Sequence, residues 1–195
     1  MARCLSAVVS IASGVRDDYA AHPEGAEGWY RESGSTYRNP HEDAIDEVLG
    51  LAVSWWPSVF SGQVLDLCCG SGEVTLGLMA AGVPIERVTA CDPYTGEAYR
   101  SRVGRPCEPH SFADVANGAL AERSFTGVVC SYALHLCEPS WLPLVCNALA
   151  AITPSLVIVT PHKRPEIPAS FGWDLADDHR DVSLRVRLRL YERTI

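Results

Sequence analysis

The chain has 195 residues, 47% of them hydrophobic and 21% charged, with a formal net charge of −8. That length fits one domain large enough to bury a core without disulfides. The acidic balance argues against non-specific nucleic-acid binding, which needs a basic footprint over phosphates. No apolar run approaches the ~18 residues of a membrane helix.

The first residues, MARCLSAVVSIASG, carry one arginine and a short apolar run, superficially like a signal sequence. The run is short and Asp17 and Asp18 follow closely, so a cytoplasmic chain is expected. Residues 15–38 are polar and rich in Gly, Glu and Tyr, and they read as a loose arm. The expected division is therefore an arm over 1–38 and a single domain over 39–195. Next, YRNPHEDAIDEVLGLAVSWWP reads as a helix: Asn39 as N-cap, Pro40 in the first position, Glu42 in the third. Ile45, Val48, Leu49, Ala52, Val53 and Trp56 recur along one face, and Pro57 ends it.

An alternation follows. Gln63–Leu67 reads as a strand and Glu73–Ala81 as a helix capped by Gly82. Arg87–Cys91 is a strand, and Tyr94–Val103 a helix ended by Gly104. A short strand is expected near Pro109–Ala113, then a helical turn over Val115–Ala121. Phe125–Cys130 is a strand, Ser140–Ala151 a helix, and Ser155–Thr160 a strand. Such alternation implies an α/β fold with a doubly wound, mostly parallel sheet, whose ligands bind at the carboxyl ends of the strands.

The tail breaks the pattern. Pro165 and Pro168 exclude a normal crossover helix, and DVSLRVRLRLYERT alternates strictly. Leu184, Val186, Leu188 and Leu190 face one way, and Arg185, Arg187 and Arg189 the other. An antiparallel hairpin over Gly172–Leu175 and Val182–Arg193 fits, with its arginine face left uncovered. A basic stripe for RNA is the sharper reading of that face.

The eight cysteines form no CxxC pair and most lie in apolar strand-like runs. They read as reduced, buried thiols rather than metal ligands or redox centres.

The chemistry concentrates in VLDLCCGSGEV, residues 64–74. Gly-Ser-Gly at a strand-to-helix turn lets backbone approach a ligand closely. The third glycine of a dinucleotide fingerprint is replaced by Thr75, and no Gly-Lys-Ser/Thr follows. Asp66, at the strand end, suits a ligand ammonium or sulfonium better than a pyrophosphate.

With VTACDPY, SFADVA and FTGVVCSYALHL following in order, residues 64–160 resemble the class I S-adenosylmethionine-dependent methyltransferases. The resemblance implies a single-domain, Rossmann-like sheet with a closing C-terminal hairpin, and S-adenosylmethionine as cofactor. It assigns cofactor contacts to Asp66, Cys68, Gly70 and Gly72 of the first motif. Asp92 would hold the ribose diol, with Pro93 and Tyr94 flanking adenine. Asp114 would accept from the adenine amino group, Val115 or Phe112 would pack on the ring, and Ser131 would lie beneath the methionine part. Two departures stand out. Cys68 replaces the family's usual glycine. Ser131 or Tyr132 stands where metal-dependent relatives place an aspartate, so no catalytic metal is expected.

Methyl transfer is an in-line displacement needing positioning, exclusion of water, and a base only if the acceptor must lose a proton. His135 is the candidate base, with Tyr132 beside it. Tyr30, Tyr37, His41 and His162 are candidate substrate contacts, the tyrosines through cation–π contact with the sulfonium. The arm and the first helix would form a lid. A small-molecule acceptor with an O, N or S nucleophile is preferred, with no membrane partner and with nucleic acid disfavoured but left open. Three alternatives stand: a silent cofactor-binding regulatory subunit, an RNA-modifying methyltransferase using Arg185, Arg187 and Arg189, and an NAD-dependent oxidoreductase. The last lacks both the third glycine and a Tyr-x-x-x-Lys pair.

Overall fold

Short apolar runs buried on both faces make the centre of the molecule: β1 (Val64–Leu67), β2 (Val88–Cys91), β3 (Gly127–Ser131) and β4 (Ser155–Thr160). They pair in parallel, and β4 then pairs antiparallel with β6 (Val186–Arg193), which carries the edge strand β5 (Trp173–Asp181). The sheet order is β2-β1-β3-β4-β6-β5. These features are those of a computed structural model that describes residues 19 and 21–194. Cys4, Asp17, Asp18 and the signal-like run lie outside the described residues.

Helices cover both faces. On one, α2 (Glu42–Trp55) and α3 (Glu73–Ala80) pack Ile45, Leu49, Ala52 and Leu78 against Val64, Val129 and Val157. On the other, α6 (Leu142–Ile152) packs Val145, Leu149 and Ile152 against Leu65, Val128 and Leu156. Two more helices, α4 (Gly96–Val103) and α5 (Phe112–Ala116), follow β2. Because β1 is flanked by β2 and β3, the winding direction reverses there, and a crevice opens at the carboxyl ends of β1 and β3.

The structure departs from the sequence-based expectations at four places. The described part of the arm is not loose: Gly25–Ser33 forms α1, followed by a 3-10 turn over Gly34–Thr36. The start of α2 is not an asparagine capping box: the helix begins at Glu42 with His41 as N-cap, and Asn39 Oδ1 accepts from His41 N–H at 3.0 Å. The strand expected near Pro109–Ala113 reduces to one bridge between Cys91 and Glu108, because Ser111 starts α5 with a capping box closed by Asp114. The fourth concerns the hairpin's arginine face. Leu184, Val186, Leu188 and Leu190 do share the core face, but Arg189 on the other face is 1% exposed. The proline-rich segment after β4 folds over it: Arg189 donates to the carbonyls of Lys163 (2.8 Å) and Pro165 (3.2 Å). Arg187 pairs with Asp178 at 2.9 Å.

The described cysteines are free thiols. Cys69 and Cys107 place their sulfurs 3.4 Å apart as a weak hydrogen bond. Among the described residues no helix is long and apolar enough to cross a membrane, and no group of three or more His, Cys, Asp or Glu is placed to hold a metal.

Candidate active site

The turn after β1 is built by its glycines. Gly70 and Gly72 take φ of +55° and +96°, values that cost a side-chain-bearing residue energy. At Gly72 a Cβ would also lie 2.4 Å from Val103 Cγ2. At Gly70 it would lie 3.0 Å from the Tyr37 ring and 3.1 Å from a Glu73 oxygen. Cys68 adopts φ +57° without being glycine, and burial together with a hydrogen bond to Cys130 keeps its thiol protonated; the bond is the larger cause.

Asp92 follows β2 and ties two turns together. Its Oδ1 accepts from the backbone N–H of Tyr94 (2.9 Å) and Thr95 (3.0 Å), and its Oδ2 from Gly70 N–H (3.3 Å). The turn of the arm presses on the same place, since a Cβ at Gly34 would meet the Tyr94 carbonyl at 2.6 Å.

Around this crevice lies a cavity of about 330 Å³, within the range that holds a small-molecule ligand. It gathers Cys68, Gly70, Asp92, Pro93, Ser131 and Tyr132 from the strand ends, Phe112 from α5, and Tyr30 and Tyr37 from the arm. Tyr30 and Tyr37 meet edge to face at 5.3 Å, with Trp29 against both. Burial pushes the Tyr30 hydroxyl up to about 12 despite its hydrogen bond to Tyr37, and pushes Tyr37 higher still.

Other candidates stand elsewhere. Asp66 is fully buried beneath the loop, accepting on one oxygen from Thr75 N–H (3.1 Å) and Thr75 Oγ1 (2.7 Å). Gly72 shapes the turn from behind. Asp114 is committed to Ser111 (2.6 Å), and Val115 is core. His41 stacks on Tyr132 at 5.0 Å, outside the cavity. His135 and His162 lie edge to face at 4.9 Å. His135 lines a second cavity, on the far side of Cys137, beneath the proline-rich segment. Tyr132 lines the first cavity, and burial raises its hydroxyl to about 12, which keeps it protonated and able to donate a hydrogen bond.

Sequence reasoning missed Glu73, Glu138 and Trp141, which also line the cavity. An acid at a helix start and residues at the head of α6 are ordinary there, so no local signal marks them.

The lining fits S-adenosylmethionine. It includes Glu27, Glu73, Asp92 and Glu138 and no lysine or arginine, which favours a ligand bearing an ammonium and a sulfonium, and six aromatic side chains offer faces to such a cation. When bound, the cofactor supplies the electrophilic methyl group. Asp92 and Gly70, which line the cavity at the ends of β2 and β1, would be the groups to hold it.

Asp66 makes stability depend on pH. Burial raises its carboxyl from 3.8 to about 7, against the opposing Thr75 hydrogen bonds. The folded chain then keeps a proton that the unfolded chain has released between pH ~4 and ~7, so stability falls as pH rises through that window. The cost is complete above it and reaches at most ~4 kcal/mol. Urea melts at pH 5 and pH 8 are expected to show this slope, and Asp66→Asn, which keeps an acceptor for Thr75, to flatten it. An identical slope in the variant would place the titrating group elsewhere.

A family described as a methyltransferase domain matches residues 65–154. An uncharacterized protein of the fission yeast Schizosaccharomyces pombe is 33% identical over 199 residues, covering 82% of this chain and 79% of that one. Among solved structures, magnesium protoporphyrin IX methyltransferase of Synechocystis PCC 6803, with bound S-adenosylmethionine, aligns at TM-score 0.57 and 18% identity, covering 92% of this chain and 95% of that one. A protein of Pyrococcus horikoshii OT3 aligns at TM-score 0.62 and 12% identity, covering 93% and 100%. With the motifs and the strand order, these matches show that the chain belongs to the class I S-adenosylmethionine-dependent methyltransferases.

Proposed function

We propose that the enzyme methylates a small-molecule acceptor held in the cavity over β1 and β3, with the arm as its lid. The observation that carries this reading is the cover. α1 and the turn after it bring Ala26, Glu27, Tyr30 and Tyr37 onto the cavity wall, leaving a space of about 330 Å³ for the ligands. A polymer would need an open groove, and two of the three arginines that would serve RNA are committed: Arg189 is buried and Arg187 is paired, leaving Arg185 exposed.

Catalysis then rests on placement. The acceptor atom must stand in line with the sulfonium methyl at about 3–3.5 Å, with water kept out. Tyr132, held at φ +53° and donating its N–H to the Val159 carbonyl at 2.8 Å, is fixed enough to orient an acceptor by its hydroxyl. His135 lines the second cavity rather than this one, so an acceptor that attacks without a protein base fits best.

The test is transfer of labelled methyl from S-adenosylmethionine into a cell extract split into low-mass, RNA and protein fractions. Label in the low-mass fraction is expected. Label chiefly in RNA or protein would overturn the small-acceptor reading while leaving the enzyme class intact.

A further inference from the structure

One carboxylate collects contacts from three separate parts of the site. Glu73, the first residue of α3, is 5% exposed. Its Oε2 accepts from Ser71 N–H at 3.1 Å, within the glycine turn. Its Oε1 accepts from the Ser71 hydroxyl, from Asn39 N–H at 3.1 Å, and from Arg102 at 3.2 Å. Arg102, on α4, also pairs with Glu42 at the head of α2. Asn39 is where the arm joins α2. The same carboxylate lines the cavity and stands 3.1 Å from where a Gly70 Cβ would be.

We infer that Glu73 is a latch: it fastens the arm to the glycine turn and thereby sets how fast cofactor and product exchange. The argument is one of connectivity. An acid at a helix N-terminus normally stays in solvent, where it gains a few tenths of a kilocalorie from the helix dipole. Burying it is costly unless every lone pair is used. Here Ser71 of the turn, Arg102 of α4 and the Asn39 N–H at the junction of the arm with α2 share the carboxylate, so lifting the arm through that junction strips one donor from a buried acid. Cofactor binding orders the turn, and the ordered turn holds the lid. By reciprocity, a held lid tightens the cofactor. The inference rests on the cavity being the cofactor site, as proposed above.

The variants Glu73→Ala and Glu73→Gln test it, with the wild type alongside. Expected are ~10–100-fold faster dissociation of S-adenosylhomocysteine from the alanine variant, followed by tryptophan fluorescence, and a rise in cofactor KM that exceeds any fall in kcat. The glutamine variant, keeping one acceptor oxygen, should fall between. Amide exchange should quicken over residues 34–41 in the variants while the sheet stays protected. In the wild type, which needs no substitution, the Asn39 amide should be slow and slow further with S-adenosylhomocysteine. A folded variant with unchanged dissociation and exchange, or an unprotected Asn39 amide in the wild type, would overturn the latch. No binding to the folded wild type would instead refute the cavity as the cofactor site.

Discussion

Asp92→Ala is expected to weaken S-adenosylmethionine and S-adenosylhomocysteine about 100-fold in calorimetric titration, while the variant keeps its cooperative unfolding. The carboxylate, 9% exposed, holds three backbone N–H groups from two turns. Alanine leaves those donors without their acceptor and removes the one cavity acid that joins the glycine turn to the turn after β2. A charge-assisted bond to the cofactor is worth ~1.5–3 kcal/mol, and the loss of one near the upper end of that range gives the stated factor. Asp92→Asn should lie between, since its amide can serve Tyr94 and Thr95 but turns an NH₂ toward Gly70 N–H. Equal affinity in wild type and Asp92→Ala would mean that the cofactor is held by the turns' backbone alone.

The second large effect lies at the other end of the sheet. Arg189→Ala should lower stability by ~3 kcal/mol in urea unfolding, because it strands the Lys163 and Pro165 carbonyls and leaves Asp178 half-buried without one of its partners. Arg187→Ala, removing a more exposed pair with the same aspartate, should cost under ~1 kcal/mol. If the stripe served RNA, Arg187→Ala would abolish a salt-sensitive RNA complex. If it serves the fold, RNA retention stays at background for wild type and variant alike.

That arginine shows where sequence reasoning runs out. The alternation of β6 was legible because period-two spacing fixes which side chains share a face. What covers the other face was not, because the cover is an irregular segment, Pro161–Pro168, with no period to read. The core strands were legible for the opposite reason: short apolar runs between turn residues have few other places to go. The glycine turn and Asp92 were also readable, since backbone approach to a ligand needs glycine and a strand-end acid. Asp66 misled at the same motif. The pattern places an acid at the strand's end, but it does not say on which side of the turn the carboxylate lies. The arm was the least legible part. α1 packs Trp29 and Tyr30 on nearby Tyr37, but the turn that follows it is pinned at Gly34 by Tyr94, after β2, a tertiary contact that no local pattern announces.

The cavity wall runs in sequence from Ala26 to Trp141. During synthesis the arm precedes the ends of β2 and β3 and has nothing to close upon until they exist. The sheet that carries those ends is finished only when β6, near the far terminus, pairs with β4. Until β6 has been made the chain therefore offers no assembled pocket, and S-adenosylmethionine cannot guide the earlier steps of its folding. The cofactor acts only on the finished molecule, where binding draws the population toward the native state by mass action. Cells short of the cofactor should thus make the enzyme at the same rate but lose it faster.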